Sequence, residues 1–529
     1  MYDILIRNGI LVDGTGNPPR HGDVAVTGDR IAAVGHLPGA KAYREIDADG
    51  ALICPGFIDA HSHTDSTVEL NPYFESTIRQ GITTEIVGNC GNSTAPFPED
   101  GDAGGFGKFG NTIPRPGCTL GTYMQELEKK GMSANLAWLV GHNTIRKLAG
   151  VSGADVKEAQ YQRMEAILRG ALDDGALGMS SGLEFEPGRT CHPEELKRLA
   201  TILKEYDAIY TSHIRNRDAH VLEAVDEFID VIRTHRIRGE ISHMNIRHNT
   251  HAPENAPQRC IEKIRQAREE GLDLLTDMTP LNYGIGQMAG ILPTWFTSRP
   301  PEEYKALLDD PAVRARLRTD CDRYWRFITN GEWHRVRMQN NMAIPEINGL
   351  TFPEISKLWN KDPWDCYFDI LAANAPDIGS VVLVSYLFTD DHLYETISCP
   401  LYMLVVDGYS TSAEGEVARY TGFPLHYIGM AWFLTYHVRE KHTLRLEEAV
   451  RKMTSMPAAH FGLLDRGLLM PGKYADICVF KMDELKTPFD FNKPCQYTKG
   501  MRHVLVNGQP VLDGYEHLHT TPGRNIRHI

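Results

Sequence analysis

The chain has 529 residues, 42% of them hydrophobic and 23% charged, which is ordinary for a globular protein and long enough for one large barrel with an appendage. A net charge of −14 speaks against a nucleic-acid partner and against an anionic membrane surface. No basic and apolar leader opens the chain, and no apolar run approaches the ~18 residues of a spanning helix, so neither a signal peptide nor membrane insertion is expected. The 10 cysteines are scattered with no CxxC pair, which fits reduced thiols and a cytoplasmic location.

Residues 1–56 alternate short apolar runs with Gly, Asn and Asp: YDILIRNG, GILVDG, GDVAVTGDRIAAVG and ALICPG read as strands joined by tight turns. Strands return in GKYADICVF (472–480) and RHVLVNGQPVL (502–512). A β-rich segment divided between the two ends predicts a small β-sandwich built from residues 1–56 and 465–529. The polar tail HLHTTPGRNIRHI is expected to be loosely ordered or to hold a neighbouring subunit.

Between these ends, apolar strands alternate with amphipathic helical patterns such as EAQYQRMEAILRGALDD and LEAVDEFIDVIRTH. Candidate strands are 51–58, 82–88, 134–141, 176–181, 208–213, 239–244, 272–278 and 401–407. Eight such units predict an α/β fold, a (β/α)8 TIM-like barrel over 57–464. The alternative, an open doubly wound sheet, lacks any GxGxxG after a strand. A long gap before the last strand predicts an insertion at 284–399 that caps the barrel mouth, with helices in PEEYKALLDDPAVRARLRTDCDRYWRFI and WDCYFDILAANA. Trp295, Phe296 and Trp325 in it are read as core of the insertion before being read as a substrate lid.

The chemistry sits at strand ends. Asp59-Ala60-His61-Ser62-His63 closes the first strand, and residues two apart in extended chain point the same way. Alone, an HxH is unremarkable; behind an apolar strand it can present two imidazoles to one ion. Cys90 ends the second strand between Gly88 and Gly91, whose glycines permit unusual backbone angles. A lone cysteine is usually a small buried apolar residue, and a lone histidine usually structural. His213 and His243, however, end the fifth and sixth strands, and Asp407 ends the eighth. In a barrel these ends form one rim, where catalysis is found. A mixed N, S and O donor set favours zinc over magnesium or calcium.

FIDAHSH together with the eighth-strand Asp resembles the amidohydrolase superfamily. GNCG, GHNTIR, GMSSGLEFEPG, SHIRN, SHM, EEAVRKMTSMPAAHFGLLDRG and GKYADICVF resemble the N-acyl-D-amino-acid deacylase (D-aminoacylase) family over residues 1 to about 510. The resemblance implies that Cys90, His213 and His243 hold a tight Zn2+. It implies that His61, His63 and Asp407 form a second site, weaker or empty, and that Asp407 is the general acid/base. It implies hydrolysis of a linear N-acyl amide bond in a small molecule. Cys90 disfavours a cyclic-amide hydrolase of the hydantoinase or dihydroorotase type, which usually carries a bridging lysine. The full donor set disfavours a non-catalytic scaffold. An exposed sandwich edge permits a homo-oligomer.

Three residues depart from the family pattern. Asn245 stands where a lysine is usual, Thr279 replaces a tyrosine, and the usual HPR arginine is missing from 409–436, where Arg419 is the only arginine. Asn or Thr cannot replace the bidentate fork of arginine. Asn245, Thr279, Leu281, Tyr283, His426 and Tyr427 are therefore expected to line a more neutral pocket, with Arg215, Arg217 or Arg247 as substitutes for the missing cations.

Overall fold

A computed structural model describes residues 1–98, 116–320 and 325–528 of the chain. Eight parallel strands form its centre: β1 (Phe57–Asp59), β2 (Ile82–Val87), β3 (Asn135–Gly141), β4 (Gly178–Gly182), β5 (Ile209–His213), β6 (Gly239–Ile241), β7 (Leu274–Met278) and β8 (Tyr402–Leu404). Each pairs with its sequence neighbour from β1 to β8. The ring closes just beyond the strand ends, where Ser62 and Gly408 bridge in parallel. There Asp407 N–H donates to His61 O at 2.9 Å and His63 N–H donates to Gly408 O at 2.8 Å.

The barrel is filled rather than hollow. Ile58, Ile86, Ala137, Leu139, Ile209, Met403 and Val405 belong to one buried cluster, separate from the one beneath the surrounding helices. Those helices form where the 3.6-residue apolar period places them. Glu158–Asp173 buries Met164, Leu168, Ala171 and Leu172, and Val221–His235 buries Val225, Phe228, Ile229 and Ile232.

The apolar stretch 51–58, expected as one strand, is two. Leu52–Pro55 joins the terminal sheet and Phe57–Asp59 enters the barrel. Gly56 separates them at a close approach to β2, where a Cβ would lie 2.2 Å from Thr83 Oγ1. The terminal sheet has nine strands and joins the two chain ends through Leu52–Pro55 and Ile477–Phe480, with its own core of Ile4, Ile6, Val24, Val26, Ile53, Ile477 and Leu505.

Between β7 and β8 the chain adds a three-stranded antiparallel sheet, Tyr283–Gln287, Val382–Tyr386 and Val336–Asn340, which the sequence reading missed. The predicted helical run breaks at Pro311 into Tyr304–Asp309 and Pro311–Asp320, because proline cannot continue a hydrogen-bonded turn. The part of that run at 321–324 lies outside the described residues. WDCYFDILAANA forms most of Pro363–Asn374. Phe296 and Trp325 are buried in this segment and Trp295 partly so, stacked under Arg316 at 3.9 Å.

The C-terminal tail is not loose. Asn525–Ile526 pairs in parallel with Leu136 and Ala137 of β3. Asn525 Oδ1 accepts from Trp138 Nε1 at 2.8 Å, and its Nδ2 donates to Met124 O at 2.8 Å. Among the described residues no helix is long and apolar enough to cross a membrane, and the nine described cysteines are free thiols.

Two predictions follow from this packing. Asn525→Ala leaves the buried Trp138 N–H without its acceptor, at roughly 1–3 kcal/mol, while Met124 O keeps its helical partner within Leu120–Lys130; urea unfolding should show a loss of at least about 1 kcal/mol, whereas a dangling tail would show none. His392, on the helix Asp390–Ser398, accepts from Ile246 N–H through Nε2 at 2.8 Å, and burial pushes its pKa down to about 4. The unfolded chain therefore takes up a proton near pH ~6.5 that the folded chain refuses until about pH 4, so stability falls as pH falls through that window. His392→Gln keeps an acceptor and does not titrate, so its melting temperature should drop less between pH 7 and pH 5 than that of the parent; an equal drop would show that His392 takes no part.

Candidate metal centre

The barrel places the six predicted donors at one end. Cys90 Sγ is central: it lies 3.3 Å from His61 Nε2, 3.3 Å from His243 Nε2 and 3.6 Å from His213 Nδ1. His213 Nδ1 is 3.1 Å from His243 Nε2. Asp407 Oδ1 stands 3.5 Å from His61 Nε2 and 3.2 Å from His63 Nε2. His61, Cys90, His243 and Asp407 each bring a ligand atom within 4.8 Å of the others. His213 flanks that group on the Cys90–His243 side and His63 on the Asp407 side. The two expected triads are thus not spatially separate: the thiolate faces histidines of both.

The backbone is shaped for this convergence. Cys90, His243 and Asp407 all adopt left-handed angles, with φ of 52°, 36° and 56°. Such angles cost about 1–2 kcal/mol for an L-residue. They turn the side chain inward at the point where a strand would otherwise continue. Gly88, at φ 80°, begins the turn before Cys90; a Cβ there would sit 2.0 Å from Leu139 O.

Exposure is graded across the cluster. The side chain of Asp407 is 29% accessible and that of His63 16%, whereas His61 is fully buried and His213 3% exposed. The open side, where a substrate would arrive, is therefore the Asp407 side. Burial would push the Cys90 thiol up, but the facing His61 and His243 drive it well below its ordinary value. Burial likewise opposes ionisation of Asp407, and His61 and His243 overcome it and hold the carboxyl below the usual carboxylate range.

The donor spacing suits a tetrahedral ion. Zn–N bonds of ~2.0–2.1 Å and Zn–S bonds of ~2.3 Å give tetrahedral edges of roughly 3.3–3.6 Å. The Cys90, His213 and His243 separations fall at or just below that range. A second trio, His142, Cys191 and Glu195, also brings ligand atoms within 4.8 Å. There Arg146 Nη1 donates to both Glu195 oxygens at 2.7 Å, so the carboxylate already faces a guanidinium and the trio is a buried ion pair.

The sequence reading missed the carboxylates behind the histidines. Glu184 Oε2 accepts from His213 Nε2 at 2.7 Å and is also bound by Arg247. Burial disfavours its charge, yet Arg247 and His213 hold Glu184 well below the ordinary range. Asp277 accepts from the backbone N–H of His243 and stands 3.4 Å from His61 Nδ1. Both sit in motifs already singled out, GLEFEPG and TDM; what hid them was that a carboxylate beside a ligand looks like any other acid in a sequence.

The expected substrate residues are more dispersed. Asn245 is buried, and its Oδ1 accepts from Thr279 N–H at 3.3 Å. Leu281 is buried. His426 lies beside Gly408, where a Cβ would be 2.7 Å from its Cδ2; its Nδ1 donates to Thr421 O, and burial pushes its pKa down to about 4. Tyr427 donates its hydroxyl to Ser412 O at 2.8 Å. Tyr283 opens the inserted sheet and lines a cavity of about 400 Å³ with His248, Arg337, Tyr386 and Phe491. Arg215 is bound by both oxygens of Glu227, at 2.9 and 2.8 Å, and by the carbonyls of Arg189 and Cys191. Arg217 donates to His243 O at 2.7 Å.

The amidohydrolase family profile matches residues 44–317 and 420–512. An N-acyl-D-glutamate deacylase of Alcaligenes xylosoxydans xylosoxydans is 32% identical over 99% of this chain and 96% of that protein. The crystal structure of an N-acyl-D-glutamate deacylase from Bordetella bronchiseptica, complexed with zinc and a phosphonate mimic of the tetrahedral intermediate, aligns with a TM-score of 0.82 at 28% identity, covering 99% of each chain. A D-aminoacylase structure described as having a binuclear metal centre aligns at 0.81 with 25% identity over 100% of each chain. Hydantoinases share the fold only, as with the Arthrobacter aurescens L-hydantoinase at a TM-score of 0.58 and 15% identity. With the profile covering more than half of it and a relative matching end to end, this chain belongs to the amidohydrolase family, among its N-acyl-D-amino-acid deacylases.

Proposed function

We propose that this protein is a zinc-dependent deacylase that hydrolyses a linear N-acyl amide bond. The observation that carries the reading is the meeting of one cysteine sulfur, four imidazoles and one carboxylate in a single cluster, with three imidazoles facing Cys90 Sγ and Asp407 facing His61 and His63. Cys90, His213 and His243 would hold the tighter zinc, with buried His61 and the more open His63 and Asp407 available to a second. Zinc held there would supply Lewis-acid polarisation of the carbonyl oxygen and make water a usable nucleophile near neutral pH.

The remaining steps belong to the chain. Asp407, at the open edge and 3.2 Å from His63 Nε2, is placed to take the proton of the attacking water. It then returns that proton to the departing nitrogen, without which an amine is a poor leaving group. His63 steadies the carboxylate between the two transfers. Cyclic amides are the weaker alternative, because the hydantoinases match in fold alone.

On the leaving side, we infer an amine without a free α-carboxylate. Asn245 and Thr279 are uncharged, and a His426 titrating only near pH 4 is neutral at pH 7. The three arginines expected as substitutes are engaged elsewhere: Arg215 with Glu227, Arg247 with Glu184 and Asp218, Arg217 with the His243 carbonyl.

The test uses zinc-loaded enzyme on an N-acyl-D-amino acid and on the same compound with its carboxylate converted to a primary amide. The amide should be the better substrate by kcat/KM, and Asp407→Asn should lower the rate at least ~10²-fold while the tighter zinc at Cys90, His213 and His243 is retained. Faster turnover of the free acid would remove the neutral pocket but leave the deacylase. Failure of the parent to retain zinc would remove the deacylase reading itself.

A further inference from the structure

His213 differs from the other histidines of the cluster in which nitrogen it offers. His61 and His243 face Cys90 through Nε2, whereas His213 faces it through Nδ1. An imidazole can turn over about its Cβ–Cγ bond, and a neutral ring has only one lone pair to give. Something outside the cluster must therefore decide which nitrogen of His213 carries the proton. The contact able to decide it is on the opposite edge of the ring, where Nε2 lies 2.7 Å from Glu184 Oε2. Phe185 packs against the same ring, with centroids 4.6 Å apart.

Glu184 is itself fixed. Both terminal nitrogens of Arg247 donate to its two oxygens, Nη1 at 2.9 Å and Nη2 at closer range. Arg247 Nη1 also donates to Asp218 Oδ2 at 3.2 Å. The guanidinium is fully buried, and Glu184 is 7% exposed. The three residues come from the segments after β4, β5 and β6, so one guanidinium ties together the three loops that surround His213. The corresponding carboxylate contact at His61, from Asp277 to Nδ1, is longer at 3.4 Å.

We propose that Glu184 is a positioning residue for the metal centre: it accepts the Nε2 proton of His213, directs the Nδ1 lone pair at the donor cluster, and is held in that place by Arg247. The proposal rests on the zinc reading above. A carboxylate at the far nitrogen fixes the tautomer and makes the ligand a stronger donor, and loss of such a partner typically weakens metal binding by ~10–100-fold. The competing view is that Glu184 serves only as the counter-ion of Arg247.

Chelator competition for zinc, together with melting of the metal-free protein, separates the two. Glu184→Gln keeps size and an oxygen acceptor but loses the charge; it should weaken zinc binding ~10–100-fold and shift the ligand-field spectrum of the cobalt-substituted protein. Arg247→Met leaves the Glu184 carboxylate in the chain and should weaken zinc less, while lowering the metal-free melting temperature at least as much. Zinc affinity of Glu184→Gln within threefold of the parent overturns the proposal, and so does a loss of affinity no greater than that in Arg247→Met. If the parent itself does not bind zinc stoichiometrically, the deacylase reading fails first, which the parent titration shows before any variant is made.

Discussion

The backbone pairing that closes the barrel is also what assembles its chemistry. β1 and β8 come together beyond their regular ends, through Asp407 N–H to His61 O and His63 N–H to Gly408 O. Three of the four residues that make these bonds, His61, His63 and Asp407, also send their side chains into the donor cluster. A barrel needs its first and last strands in register, and a metal site needs donors from distant parts of the chain; here one pair of hydrogen bonds meets both requirements. That coupling makes the centre a property of the closed fold, because in an open sheet the first and eighth strands would be its two far edges.

Gathering so much charge out of water carries a cost, and the surroundings offset it layer by layer. Left-handed backbone at Cys90, His243 and Asp407 is unfavourable in isolation and persists because the pairing on either side over-determines it. Behind the donors, Glu184 and Asp277 face the histidines, and Arg247 and Asp218 stand behind Glu184. Glu184, Asp277, Arg247 and Asp218 thus each meet an opposite charge or a hydrogen-bonding group, which a buried ionic network requires.

The strand ends were legible in the sequence because strand periodicity and donor type coincide there: an apolar run followed by His, Cys or Asp is a simple signal repeated at several places. The six donors and the eight-strand order followed from it. The division at Gly56 was not legible, since only the nearness of Thr83 makes that glycine necessary. Glu184 lay inside a quoted motif, but its partner His213 is 29 residues away in the chain, and no local pattern joins them. The inserted sheet escaped notice because VVLVSY resembles any buried apolar run. Arg215 and Arg247 looked available to a substrate only because sequence does not show that Glu227 and Glu184 already bind them.

The segment that pairs with β3 limits where the chain can be altered. Asn525–Ile526 runs beside Leu136 and Ala137, and Trp138 Nε1 donates to Asn525 Oδ1, so these residues form part of the barrel wall. A peptide tag spliced in beside Ile526 would compete with that pairing and leave the buried indole N–H without its acceptor. Met1, whose side is open to solvent, offers an attachment point that meets no such wall.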